Sequence, residues 1–271
     1  MNRIIFSVVV AVTVVLSFSA NGIGASEAAW PTWRGPGMMG VSPDGNPPVT
    51  WSETENVKWK VELTGDGSDS SPVIWGDKLF FQTAVKTDKQ AEGDPDAQQA
   101  AAEGGRRGGR GGGAPSEIYQ FNLVCLDRNT GKLLWEKTVT EAKPHQGHHG
   151  DHGFASFSPV TDGKYLWAFY GSFGMYCYDL DGNQIWKKDL MPMTTRFGEG
   201  NSPTLAGDVV IVIADHEGDS FIYAFDQKTG ETALETSTRR GDLVRFSGRG
   251  GRPRPAAGCR QCDRQGSQLS C

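Results

Sequence analysis

Apolar residues along the chain come in short runs: Leu79-Phe80-Phe81, Tyr119 to Leu126, Tyr165 to Tyr170, Val209 to Ile213 and Phe221 to Phe225. The runs are rich in β-branched and aromatic residues, and Gly-Asp, Asp-Gly and Thr-Gly pairs separate them. That pattern predicts strands joined by tight turns. From Trp51 to Ala233 no stretch carries its apolar residues at a helical period, so the expected class is all-β.

The runs also repeat. Val124-Cys125-Leu126-Asp127-Arg128-Asn129-Thr130-Gly131 leads to Trp135, and Tyr176-Cys177-Tyr178-Asp179-Leu180-Asp181-Gly182 leads to Trp186. Tyr223-Ala224-Phe225-Asp226-Gln227-Lys228-Thr229-Gly230 leads to Leu234. Each copy has a small residue, an apolar one, Asp, a turn ending in Gly, and then Trp (Leu in the third) four residues past that Gly. A second element precedes each: Ser71-Pro72, Ser158-Pro159 and Ser202-Pro203. Ser158 and Ser202 stand 44 residues apart, the length of one four-stranded propeller blade. Ser71 and Ser158 stand 87 apart, the excess matching a Gly-rich and a His-rich insertion.

These residues resemble the quinoprotein-type, PQQ-like β-propeller repeat (PQQ, pyrroloquinoline quinone), and the opening Trp30-Pro31-Thr32-Trp33-Arg34-Gly35 is similar to the start of bacterial members. The resemblance implies a β-propeller of four-stranded blades, incomplete in this chain. It implies structural roles for Asp127, Thr130, Gly131, Trp135, Asp179, Gly182, Trp186, Asp226, Thr229 and Gly230. The Asp and Thr would brace the turn, and the Trp would pack between blades. Val57 to Val61 is expected to be the outer strand that closes the ring, without a partner here, and exposed strand edges are expected to favour association.

Three segments stand apart. Residues 1–25 read as a signal peptide: Arg3, then an uncharged run from Ile4 to Ala20, short for a membrane span. Export to the periplasm or extracellular space follows, with membrane contact only through an uncleaved signal anchor. Residues 26–235 hold the partial propeller. Within it, 86–115 is expected to be a disordered Gly-rich insertion, since it lacks core formers. Residues 236–271 read as a basic disordered tail.

Charge sharpens the last boundary. The whole chain carries a net charge of −5. Removing the tail's eight Arg and two Asp leaves a body of −11; an acidic protein is a poor general binder of nucleic acid, and no nucleic-acid partner is expected. Leu234 stands where a third Trp belongs, and the composition turns Arg-rich immediately after it. A reading-frame shift between Thr232 and Leu234 accounts for both: Ala233-Leu234-Glu235 coded GCT TTG GAA reads Leu-Trp once the first base is dropped.

Candidate chemistry is sparse. His145, His148, His149 and His152, with Asp151, offer imidazole and carboxylate to a transition metal. Asp215-His216-Glu217-Gly218-Asp219 offers oxygen ligands to Ca²⁺, and Arg196 and Glu199 are a further polar cluster, equally able to pair with each other or to bind a ligand. Cys125 and Cys177 stand where the third copy has Ala224, a small buried slot, and Cys259, Cys262 and Cys271 lie in the tail. Quinoprotein dehydrogenases use PQQ with Ca²⁺, a catalytic Asp and commonly an adjacent Cys pair, which this sequence lacks. No catalytic residue or cofactor is therefore assigned. The expected function is an exported, non-catalytic scaffold for a protein or cell-envelope partner. The alternatives are a fragment of a PQQ- and Ca-dependent dehydrogenase and the ectodomain of a kinase-related sensor. Resequencing the coding DNA is expected to find one surplus base between the codons of Thr232 and Leu234. An intact frame through to Cys271 in homologous transcripts would end that explanation.

Overall fold

A computed structural model describes residues 29–42, 45–65, 69–91, 113–195 and 197–237. The expected signal peptide, most of the Gly-rich insertion and the tail from 238 onward lie outside the described residues, as do Arg196 and the tail cysteines. Within them the chain forms three antiparallel sheets, each a meander. The first holds β1 (Ala29–Trp30), β2 (Val73–Trp75), β3 (Lys78–Gln90), β4 (Glu117–Asp127) and β5 (Leu133–Ala142). The second holds β6 (Val160–Thr161), β7 (Tyr165–Phe169), β8 (Met175–Asp179) and β9 (Gln184–Lys188). The third holds β10 (Thr204–Ala206), β11 (Val209–Ala214), β12 (Phe221–Asp226) and β13 (Thr232–Ser237). These are successive blades of an unclosed propeller.

The expected four-stranded blade is met in the second and third sheets, and the first carries one strand more, because Ala29 and Trp30 pair with Trp75 and Ile74 along its inner edge. The expected insertion also starts too early at residue 86: β3 continues through Lys86↔Tyr119 to Gln90↔Glu117, so residues 86–90 belong to the ladder.

The repeated Asp shapes the turn between the third and fourth strands. Asp127 Oδ1 accepts from the N–H of Asn129 and Thr130 and from Thr130 Oγ1, at 2.7–3.0 Å. Asp226 does the same with Lys228 and Thr229. In the second copy Asn183 replaces the Thr and bonds both carboxylate oxygens of Asp179. Each arrangement is an Asx-type brace that leaves a glycine to turn the chain.

That glycine also receives the previous blade's Trp. Trp135 Nε1 donates to Leu180 O at 3.1 Å, and Trp186 Nε1 donates to Gln227 O at 3.0 Å. The acceptor in each case is the residue after the repeated Asp. A Cβ on Gly230 (φ +70°) would lie 2.7 Å from the Trp186 ring, closer than any real contact, so the ring rests directly on backbone. Trp59 completes the series: its Nε1 donates to Arg128 O at 2.8 Å and its ring lies on Gly131. Val57 to Val61 therefore occupies the place of a preceding blade's outer strand, though it forms no strand itself.

Near the inner edges the serines link blade to blade. Ser71 N–H donates to Ser158 Oγ (2.9 Å), and Ser158 N–H donates to Ser202 Oγ (3.0 Å). Between the first and second blades lie Phe80, Phe121, Leu123, Cys125, Leu166, Tyr170 and Tyr176. Between the second and third lie Trp167, Phe169, Met175, Cys177, Val210, Tyr223 and Phe225. Alternate residues of the second blade thus feed two different interfaces, as the period of a strand requires.

Trp186 is only 8% exposed, so Trp186→Ala should destabilise the full chain by about 3–5 kcal/mol in urea unfolding. Leu234 holds the same register, opposite Ala224 as Trp186 is opposite Cys177, but no described blade follows it. Leu234→Trp should therefore shift stability by no more than about 0.5 kcal/mol. Equal effects from the two substitutions would refute the wedge.

Candidate functional site

In a meander, the connections after the second and fourth strands of each blade emerge at one end. Counted from β2 in the first blade, those within the described residues include the segments 143–159, 170–174, 189–203 and 215–220. They carry all five histidines of the chain and most of its buried polar side chains outside the ladders. The expected polar interblade loop at one face of the ring is part of this surface.

At its centre is Glu199, which reaches into the 170–174 turn. Its Oε2 accepts from Ser172 N–H at 2.7 Å, and its Oε1 accepts from the Ser172 hydroxyl. A Cβ on Gly171 (φ +56°) would overlap the carboxylate, so only glycine admits it. Ser172 Oγ in turn accepts from Met193 N–H at 2.7 Å. His145 Nε2 lies 2.8 Å from Met193 O, and since a carbonyl only accepts, Nε2 carries the proton. It stands 3.3 Å from Ser172 Oγ and 3.7 Å from Glu199 Oε1. Burial pushes the Glu199 carboxyl above its ordinary range, against the two Ser172 bonds and the nearby His145 and His216.

Other polar groups pin the 189–203 segment from both sides. Gln146 Oε1 accepts from Thr195 N–H. His216 Nδ1 accepts from the N–H of Thr194 (3.1 Å) and Gly218 (2.9 Å), which places its proton on Nε2. The hairpin carrying His216 is closed by its own groups: Ser220 Oγ donates to His216 O and accepts from His216 N–H.

The other expected metal ligands point elsewhere. His148 packs edge-on against Phe154 with Nδ1 2.7 Å from His149 O. His149 lies beside Phe197 and 3.5 Å from Asp151 Oδ2. His152 Nδ1 lies 2.9 Å from Ser156 Oγ, which donates to Asp69 Oδ2. The His148 and His152 ring centres are 6.4 Å apart. Among the described residues no three His, Cys, Asp or Glu side chains converge as a metal centre would need.

The cysteines belong to the core. Cys125 and Cys177 are buried and free, in different interfaces, which leaves no disulfide between them. Burial raises both thiols, Cys125 to about 12, so neither is a nucleophile at neutral pH.

The cleft among His145, Gln146, Phe157, Tyr170, Phe173 and Glu199 has a volume of about 30 Å³, room for about one water. Sequence reading missed the Ser172–Glu199–His145 group; the alternative of a Glu199–Arg196 pair rests on Arg196, which lies outside the described residues. Glu199 flanked by Gly198 and Gly200, and Ser172 inside a Gly-bounded turn between apolar runs, were the available signals.

The family model described as "Outer membrane protein assembly factor BamB", a PQQ-type repeat model, matches residues 120–257, just over half of the chain. The chain belongs to the PQQ-like repeat family. No curated protein matches this PQQ-repeat chain. Similar solved structures include a europium-containing methanol dehydrogenase, at 11% identity and TM-score 0.36, covering 61% of this chain and 24% of that one. Quinohemoprotein alcohol dehydrogenase from Comamonas testosteroni is 14% identical with TM-score 0.32, covering 64% and 35%. BamB from Moraxella catarrhalis is 16% identical with TM-score 0.24, covering 44% and 45%. The chain thus spans less than half the length of each of these structures.

The family name implies PQQ. The cleft beside Glu199, with room for about one water, gives a tricyclic quinone no seat, and the polar groups that line it already bind one another. What this PQQ-repeat site does is hold four loops together around one buried carboxyl.

That carboxyl sets a pH dependence. A raised folded pKa means stability that is present below the unfolded value near 4.5 and lost as pH rises through the folded value. Urea unfolding of wild type and Glu199→Gln between acid and neutral pH should show the wild type losing stability relative to the variant as pH rises. A difference that grows in the wild type's favour would contradict the assignment.

Proposed function

We propose that this chain is an exported, non-catalytic propeller scaffold whose loop face binds a protein or another cell-envelope component. The observation that carries the reading is the bonding of Ser172. Its hydroxyl accepts from Met193 N–H and donates to Glu199, while the nearby imidazole turns its own proton to the Met193 carbonyl. A serine held this way is neither activated nor free to attack, and its bonds instead fix the loops in one shape. Fixed loops on a rigid strand scaffold are the usual form of a recognition surface.

The partner class draws support from the family description, an outer membrane protein assembly factor. Export draws support from the signal-like residues 1–25. The acidic body argues against nucleic acid. Among the described residues no helix is long and apolar enough to cross a membrane.

Hydrogen exchange of the full chain, alone and with solubilised cell-envelope proteins, should show slowed exchange confined to residues 143–157 and 190–202. In parallel, PQQ with Ca²⁺ should give no saturable change in tryptophan fluorescence and no alcohol-dependent dye reduction. Stoichiometric quinone binding with turnover would replace the scaffold by a dehydrogenase reading.

A further inference from the structure

One aromatic ring on the loop face is held out into water by a backbone that is pinned at two points. Phe197 is 51% exposed, yet its carbonyl accepts from His149 N–H at 3.0 Å. Three residues earlier, Thr194 N–H donates to His216 Nδ1 (3.1 Å), and Thr194 O accepts from Glu217 N–H (2.9 Å). The 194–197 stretch is thus tied to the His-rich segment on one side and to the 215–220 hairpin on the other.

Between Phe197 and that hairpin lies a cleft of about 210 Å³, lined by Thr195, Phe197, Gly198, Asp215, His216 and Glu217. It is smaller than the roughly 300–1,000 Å³ of a small-molecule pocket and suits one long side chain. Its rim is acidic. Asp215 is exposed, and its carboxylate has no partner among the described residues. Asp151 stands beside His149, whose ring centre is 6.2 Å from that of Phe197. Across the segments 143–159, 189–203 and 215–220, six Asp and Glu stand against Lys143 and Arg196, so this face attracts a cationic partner and repels an anionic one. An exposed aromatic ring beside a carboxylate matches a guanidinium, whose flat face stacks on the ring while its edge donates to the oxygens.

We propose that the cleft between Phe197 and Asp215 receives an arginine side chain of the protein partner. The proposal rests on the reading of the loop face as a protein-binding surface, and names the chemistry that surface selects. The guanidinium lies over the Phe197 ring and donates to the Asp215 carboxylate. Because the backbone on both sides of the cleft is already hydrogen-bonded in place, no rearrangement is needed to admit it, which lowers the cost of binding.

The probe is acetyl-Gly-Arg-Gly-Arg-Gly-amide, titrated into the full chain and followed by amide chemical shifts. Saturable shifts should centre on residues 194–199 and 215–219, and binding should weaken as salt rises. The same peptide with citrulline for both arginines keeps the shape, loses the charge, and should bind at least about threefold more weakly. Phe197→Ala and Asp215→Asn should each weaken binding of the arginine peptide about threefold without moving the unfolding midpoint. Asp208→Asn, at an exposed carboxylate in the β10–β11 turn at the other end of the third blade, should leave it unchanged. Equal binding of the citrulline peptide, or binding indifferent to both Phe197→Ala and Asp215→Asn, would overturn the proposal. So would self-association of the chain that Asp215→Asn abolishes, which gives the cleft to a second copy. If envelope proteins slow exchange over 143–157 and 190–202 while the peptide does not bind, the scaffold reading stands and the arginine site falls; if neither occurs, both fall.

Discussion

The structure depends on one recurring contact: a tryptophan on the outer strand of one blade resting on a bare glycine of the next, with its indole N–H on the carbonyl after the repeated Asp. Trp59, Trp135 and Trp186 all make it. The contact couples two requirements. The turn must place a glycine with positive φ under the ring, and the Asp must hold the turn so that the carbonyl beside it points outward. Neither works without the other, so the Asp-to-Gly turn and the distant Trp act as one unit. Because each unit joins neighbours, a blade's core is finished only by the next blade, as in other repeat folds.

The same geometry places the loop face. With turns and tryptophans fixed at one end of the blades, the remaining connections gather at the other, free to vary in length. The His-rich segment and the 189–203 segment are such connections. They are held over buried aromatics, among them Phe157 and Tyr170, by the Ser172–Glu199–Met193 bonds. Tyr170 is fully buried and donates to Asn122 O, so the loop face is tied directly to the first interblade core. A polar network of this kind in a poorly solvated place favours one arrangement, because each unpaired group would be costly.

Much of the fold was legible because it is periodic. The Asp, Gly and Trp positions recur, and a recurring residue announces a recurring role, so Asp127, Asp226, Trp135 and Trp186 could be assigned their parts from spacing and the family resemblance. The extra inner strand at Ala29–Trp30 and the continuation of β3 to Gln90 were not legible. Both are single events that no other copy repeats, and Lys86 to Gln90 is too polar to announce a strand. The loop-face group was hidden for a different reason. Ser172, Met193 and Glu199 come from three connections with no fixed spacing, and only the packed blades bring them together. The histidines are the reverse case: they are close in sequence, but in a loop rich in glycine sequence neighbours face different directions, and among the described residues they do not converge.

The carboxylates divide into two classes with opposite linkage to pH, which locates where this chain is best held together. Hydrogen bonds from Thr130 hold the Asp127 carboxyl below its ordinary value near 3.8, and the Thr229 N–H does so for Asp226. Such groups stabilise the fold above that ordinary value, and their contribution is lost as pH falls through the depressed one. Glu199 works the other way: burial raises it, so its contribution is complete in acid and lost as pH rises. The turn carboxylates are exposed and each is worth little, while Glu199 is largely buried. Both contributions are in full only in acid, above the ordinary Asp value near 3.8 and below the ordinary Glu value near 4.5. Once ionised, the buried carboxylate is held at some expense in stability, and what its bonds secure is the fixed arrangement of the loop face.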